Sequence, residues 1–242
     1  VTIEQQDTAA TPSRAWRTVL EHIEARLIAG DLAPGDRLPG ERALSTDLGV
    51  GRSSVREALR VLEAMGLIRT ATGSGPNAGA IIIAMPGGAM SSLMRLQVAA
   101  RGFPVRDIVR TRLTLEASVV GELADAAPAR DLADADRLLD AMDDDDLTPA
   151  EFLALDAQFH LALAEASGNQ VITATMAGLR GGIEAYALDG LARIADWAST
   201  RGRLRGEHRG VVDAIRATDA ALARTRIHDH ISGYYAEISL GD

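Results

Sequence analysis

Three histidines and one aspartate occupy positions where an apolar side chain is expected. Over 149–167, Phe152, Asp156, Phe159 and Leu163 fall on one helical stripe, and His160 follows Asp156 by one turn. An Asp and a His at i and i+4 point the same way and can share one cation. His208 interrupts the stripe Leu204, Val211, Ile215, and His230 stands between Ile227 and Tyr234. Burying four such groups separately requires a partner for each, at a cost. Any one of them alone reads better as a hydrogen-bonded core residue. The four together favour a common divalent metal held by Asp156, His160, His208 and His230. Three nitrogens, one oxygen and room for further oxygens suit zinc first, and nickel, manganese or iron as well. His228 faces away from His230, and His22 reads as ordinary surface.

Arg112 lies on the apolar stripe Ile108, Arg112, Leu115, Val119. A buried guanidinium needs an anion. Either Glu116, one turn on, supplies it in a structural ion pair, or Arg112 clamps the carboxylate of a small organic acid. The run Asp143–Asp146 precedes a helix start at Pro149 and reads as a solvated loop favoured by the helix dipole, rather than as a metal site. In GVGRSSVREALRVL (49–62), Val55, Ala58, Leu59 and Leu62 turn inward, while Arg52, Arg56 and Arg60 recur on the outer face. A helix start carrying Ser53, Ser54 and arginines can hold phosphates and reach base edges. A merely solvated charged face would look similar.

The elements that must position these residues divide into two halves. Trp16, Val19, Leu20, Ile23 and Leu27 mark a helix ending at Gly30, followed by a turn at 32–36. A short helix spans 41–48, and another starts at Ser53 as N-cap and stops at Gly66. Strands at 67–70 and 81–83 flank a Gly/Pro/Asn-rich tip at 73–79. Helix, short helix, turn, helix, hairpin is a winged helix-turn-helix, assigned to 14–83 after a disordered leader at 1–13. Residues 84–92 (AMPGGAMSS) read as a flexible linker. Beyond it, helices are expected at 104–126, 129–142, 149–167, 169–188, 201–217 and 219–239, so 93–242 forms an all-helical bundle. The fold class is mainly α.

With no cysteine among its 242 residues, the chain forms no disulfide and no thiolate site. A polar start and the lack of any long apolar run predict a cytoplasmic protein without a membrane span. The net charge of −9 argues superficially against a nucleic-acid partner. The acidity is uneven, however: residues 1–86 carry nine Arg against ten acids, and residues 87–242 sixteen Arg against twenty-four. Lysine is absent, so every side-chain cation is an arginine, which suits bidentate contacts to phosphate and guanine.

The run LPGERAL (38–44) with VGRSSVREALRVLEAMGLI (50–68) closely resembles the GntR family of bacterial regulators over residues 16–83. The resemblance places DNA contacts on Arg42, Arg52, Ser53, Ser54 and Arg56, with the wing near Gly73 entering the minor groove. Gly51 stands where the family usually carries Ser or Thr, and Arg69 is the only cation of the wing, so a weaker salt dependence is expected. RLTLE (112–116), LDAQFH (155–160), ASGN (166–169), EHR (207–209) and HI (230–231) resemble the FCD domain of the FadR branch. In its metal-containing members the matching Asp and three His hold a divalent ion. That branch often senses small metabolites, which favours the carboxylate-clamp reading of Arg112. The resemblance implies a homodimeric regulator, a repressor in the first instance, on a short inverted repeat of double-stranded DNA, controlled by a small carboxylate metabolite. The chain is then not an enzyme; a metal-dependent hydrolase, or a regulator with a purely structural metal, is the alternative.

Overall fold

Trp16, Val19, Leu20, Ile23 and Leu27 share one face of α1 (Pro12–Ile28) in a computed structural model of the chain, which describes residues 12–71, 79–83 and 86–238. Val19 and Ile23 are buried with Leu44 of α2 (Glu41–Leu48) and with Val55, Ala58, Leu59 and Leu62 of α3 (Arg52–Ala64); Trp16 packs at the edge of this core. Gly49 ends α2 at φ 63°, a conformation that suits glycine, and the chain re-enters helix three residues later, at Arg52. Gly51, rather than Ser53, is the N-cap of α3, and no side chain closes that end. β1 (Ile68–Ala71) pairs antiparallel with β2 (Gly79–Ile82), placing Ile68 opposite Ile82, both buried. Arg37 adds a bridge to Ile81. This is the winged helix-turn-helix expected from the sequence. Gly73 and most of the wing tip, at 72–78, lie outside the described residues, as do residues 1–11 of the expected leader and residues 84 and 85.

The chain divides into two compact units between Ala89 and Met90. The second is built from α4 (Pro86–Ala99) from Met90 onward, α5 (Val105–Asp125), α6 (Ala133–Met142), α7 (Pro149–Ser167), α8 (Gln170–Gly190), α9 (Trp197–Arg216) and α10 (Ala220–Glu237). Val120, Phe152, Phe159, Leu163, Leu204, Val211, Ile227 and Ile231 form the centre of its core. Trp197 packs edge-on against Phe152, with ring centroids 5.6 Å apart. Among the described residues no helix is long and apolar enough to cross a membrane.

Three expectations about elements change. Residues 86–92, expected as linker, are helical in α4. That helix is fixed by tertiary contact: Ser91 Oγ donates to Ala174 O at 2.8 Å, and Gly178 and Gly182 of α8 let Met94 and Val98 approach closely. A Cβ on Gly178 would stand 2.6 Å from that of Met94. α6 starts at 133 instead of 129, and α9 at 197 instead of 201, where the Asp196 side chain accepts from Ser199 N. The acidic run 143–146 is exposed, as expected, and two of its side chains are also met by arginines of α9. Arg205 donates to Met142 O (2.6 Å) and Asp145 Oδ1 (2.9 Å), Arg201 to Asp145 Oδ1 (3.1 Å), and Arg209 pairs with Asp143.

Candidate metal centre

α7 projects Asp156 and His160 from one face into the bundle, where α9 brings His208 and α10 brings His230. All four are buried, with exposures of 8, 2, 0 and 3 % respectively. One ligand atom from each lies within 4.8 Å of all the others. His208 Nε2 is 2.9 Å from Asp156 Oδ1, while His160 Nε2 and His230 Nε2 stand 3.1 Å apart. Atoms bound at 2.0–2.2 Å to one ion are themselves roughly 3–4 Å apart, so the set is close to a coordination shell.

The backs of two rings are fixed by carboxylates. Glu116 Oε2 meets His160 Nδ1, and Glu207 Oε2 meets His230 Nδ1 at 2.9 Å. An ionised carboxylate only accepts, so each Nδ1 carries the proton and each Nε2 turns a lone pair inward. Two lone pairs at 3.1 Å repel unless a cation sits between them. In His208 neither ring nitrogen has a hydrogen bond of acceptable geometry, despite the short approach of Nε2 to Asp156. Nitrogen beside carboxylate without hydrogen-bond alignment is the relation of two ligands to a third atom. These residues fit a divalent metal.

Charge supports the same fit. Glu116 and Asp156 are both buried, and Arg112 is the one buried guanidinium among the described residues. Arg112 Nε donates to Glu116 Oε1 at 2.5 Å, and its Nη2 is 4.0 Å from Asp156 Oδ2. Burial pushes the Glu116 carboxyl up, but Arg112 and His160 outweigh it and hold the group at about 2. Asp156 is likewise pulled well below the usual range, burial being overridden by His160 and His208. Two carboxylates stay ionised against one arginine, so the buried set lacks positive charge. Burial would lower His160, yet Glu116 raises it on balance, so a proton can stand in for a metal between His160 and His230. His208 and His230 are pushed down, by burial first.

A cavity of about 10 Å³ adjoins the centre, lined by Arg112, Asp156, Ile183, His230, Tyr234 and Tyr235. Arg112 is thus paired with Glu116, as the ion-pair reading expects, and also stands on the wall of this cavity. Sequence reasoning overlooked Glu116 as the partner of His160, and gave Glu207 no role. The spacing of Arg112 and Glu116 marks that ion pair but not its ring partner 44 residues away, and nothing local marks Glu207.

In the other unit, Arg42, Arg52, Ser53 and Arg56 are exposed, and Arg56 Nε lies 3.9 Å from Glu41 Oε2. Ser54 is buried at 8 % and does not share their face. The bare N-terminus of α3 presents backbone N–H groups beside these arginines, an arrangement that suits phosphate.

Comparison with known proteins fits this two-part organisation. The profile of the bacterial regulatory proteins of the gntR family matches residues 16–76, and that of the FCD domain residues 107–233. The transcriptional repressor NanR of Salmonella arizonae is 31% identical over 235 residues, covering 90% of this chain and 82% of the relative. The transcriptional regulator LutR of Bacillus subtilis is 29% identical over 223 residues, covering 86% of this chain and 97% of LutR. The solved structure of a Streptococcus agalactiae GntR protein superposes with a TM-score of 0.54 at 25% identity, covering 90% of this chain and 97% of that one.

Proposed function

Because the chain belongs to the GntR family of bacterial transcriptional regulators and carries an FCD domain, we propose that its grip on DNA is set by a small carboxylate metabolite bound at a divalent-metal centre of Asp156, His160, His208 and His230. It is a DNA-binding transcriptional regulator; the hydrolase reading lapses, since relatives aligned over most of its length are regulators. The observation that carries the metal reading is the pair of inward Nε2 atoms, each backed by a carboxylate.

Bound there, a divalent ion, zinc in the first instance, offers open positions to the oxygens of a carboxylate ligand. The chain's own residues supply the rest. Glu116 and Glu207 orient the rings, and Arg112, which lines the cavity with its Nη2 4.0 Å from Asp156 Oδ2, suits a second carboxylate oxygen. Tyr234, whose hydroxyl donates to Ala187 O, and the apolar Ile183 and Ile231 limit the ligand's size. In this reading residues 93–242 sense and dimerise while 14–83 read DNA, in the cytoplasm. Two copies of the winged helix address an inverted repeat through Arg42 of α2 and Arg52, Ser53 and Arg56 of α3, and the ligand shifts the balance between forms of the dimer that bind and release. Repression follows the named role of the NanR relatives.

A purely structural metal is the second reading, favoured by the tightness of the cavity, about one water's room. Elemental analysis, calorimetry with a panel of small carboxylates and a titration on upstream DNA separate the two. We expect metal near one per chain, heat from at least one acid, and weakened DNA binding in its presence. Metal without any acid bound selects the structural reading. Sequence-specific binding that survives both Arg52→Ala and Arg56→Ala sinks the assignment of α3.

A further inference from the structure

We propose that Glu207 is a positioning residue for the metal centre: it holds His230 in the tautomer that turns Nε2 inward, and Arg203 holds Glu207. This rests on the metal reading above.

The two carboxylate-backed histidines are served by the same local device. On α5, Arg112 precedes Glu116 by four residues and Glu116 faces His160 of α7. On α9, Arg203 precedes Glu207 by four residues and Glu207 faces His230 of α10. Each Arg–Glu pair occupies one helical turn, and each Glu gives its second oxygen to a ring on another helix. Arg203 Nη1 donates to Glu207 Oε1 at 2.7 Å, leaving Oε2 for His230 Nδ1 at 2.9 Å. Arg203 Nη2 is anchored in turn on Glu237 of α10, whose other oxygen accepts from Thr200 Oγ1. The chain Thr200, Glu237, Arg203, Glu207, His230 thus staples α9 to α10 and ends on a ligand.

The copies differ in exposure. The side chains of Arg112 and Glu116 are 5 and 4 % exposed, those of Arg203 and Glu207 37 and 27 %. Arg203, Glu207 and His230 line an open groove between α9 and α10, together with Gly206 and Gly210. The buried copy is part of the core, whereas the outer one can be altered from solvent without opening a cavity. An outer carboxylate that fixes tautomer and ring orientation commonly governs metal affinity.

Full-length Glu207→Ala, Glu207→Gln and Arg203→Met test this by zinc competition against a chromogenic chelator, and by long-range 1H–15N spectra of the metal-free protein that report the protonated nitrogen of His230. Glu207→Ala is expected to weaken zinc binding by about 10–100-fold and to move the His230 proton away from Nδ1. Glu207→Gln, whose amide oxygen still accepts from Nδ1–H, should rescue most of the loss, and Arg203→Met should fall between. Glu207→Ala with zinc affinity and ring signals like the wild type overturns the proposal. If Glu207→Ala fails to fold, unchanged affinity and signals in Arg203→Met overturn it. A wild type that takes up no zinc sinks the metal reading alone. The ring signals of the metal-free Glu207→Ala protein then decide, an unmoved proton overturning the proposal and a moved one supporting it.

Discussion

Glu116 and His160 illustrate how neighbours set the proton balance of a buried centre, and they fix its response to acid. His208 and His230 are pushed below their ordinary value of 6.5, so below that pH the unfolded chain takes up protons that the native one refuses. Their contribution is present above 6.5 and is lost as pH falls. His160 has the opposite sign: raised in the fold, it stabilises below 6.5 and loses that contribution as pH rises. Glu116, held at about 2 against 4.5, adds a further loss between those values. With two histidines against one, the metal-free protein should melt at a lower temperature at about pH 5 than at about pH 7. Thermal melts in chelator across that range check this, and a flat or rising Tm on acidification contradicts it. The four candidate ligands were legible because each breaks an apolar helical stripe. Their outer carboxylates were not, since Glu116 and His160 are 44 residues apart and Glu207 and His230 are 23 apart, and only the packed bundle brings them together.

Helix ends and helix seats decide whether those ligands meet. α7 carries half of the centre and begins with a capping box: Thr148 accepts from Glu151 N at 3.3 Å, and Glu151 Oε2 accepts from Thr148 N at 2.8 Å. Thr148→Ala should cost about 1 kcal/mol, read by urea unfolding of the second unit. The seat of α4 on α8 is stricter. Val98 occupies the space that a Cβ on Gly182 would need, so Gly182→Val should cost more, roughly 1–3 kcal/mol from overpacking. The same titration measures it, and a midpoint equal to the wild type would contradict the packing. α7 was readable from Pro149, Gly168 and its apolar period. α4 was not, because its first residues are small and its seat lies on another helix far along the chain. Ser53 misled as a cap because serine usually takes that position, whereas Gly51 holds it here without a side-chain bond.

For the molecule as a whole, ligand binding and folding are linked. A metal at a hundredfold excess over its Kd adds about 2.7 kcal/mol to the unit that binds it. For a unit of this size that is roughly 5–10 °C in Tm, which chelation should remove from the second unit while leaving the winged helix unchanged. On DNA, each phosphate deprived of its arginine lowers the slope of log K against log salt by about 1, so Arg52→Ala should flatten that plot as it weakens binding. An unaltered slope would place Arg52 off the backbone. The division into a winged helix and a helical bundle was legible in the patterning, helix, short helix, helix and hairpin followed by helices alone, and the gathering of acidity in the second half agreed with it. The two tryptophans are apportioned in the same way: Trp16 lies at the edge of the first core and Trp197 against Phe152 in the second. Each half therefore carries its own intrinsic fluorophore. Trp16→Phe leaves emission that reports on the second unit alone, Trp197→Phe emission that reports on the first alone, and an optical signal from one half on occupation of the other measures their communication without any added dye.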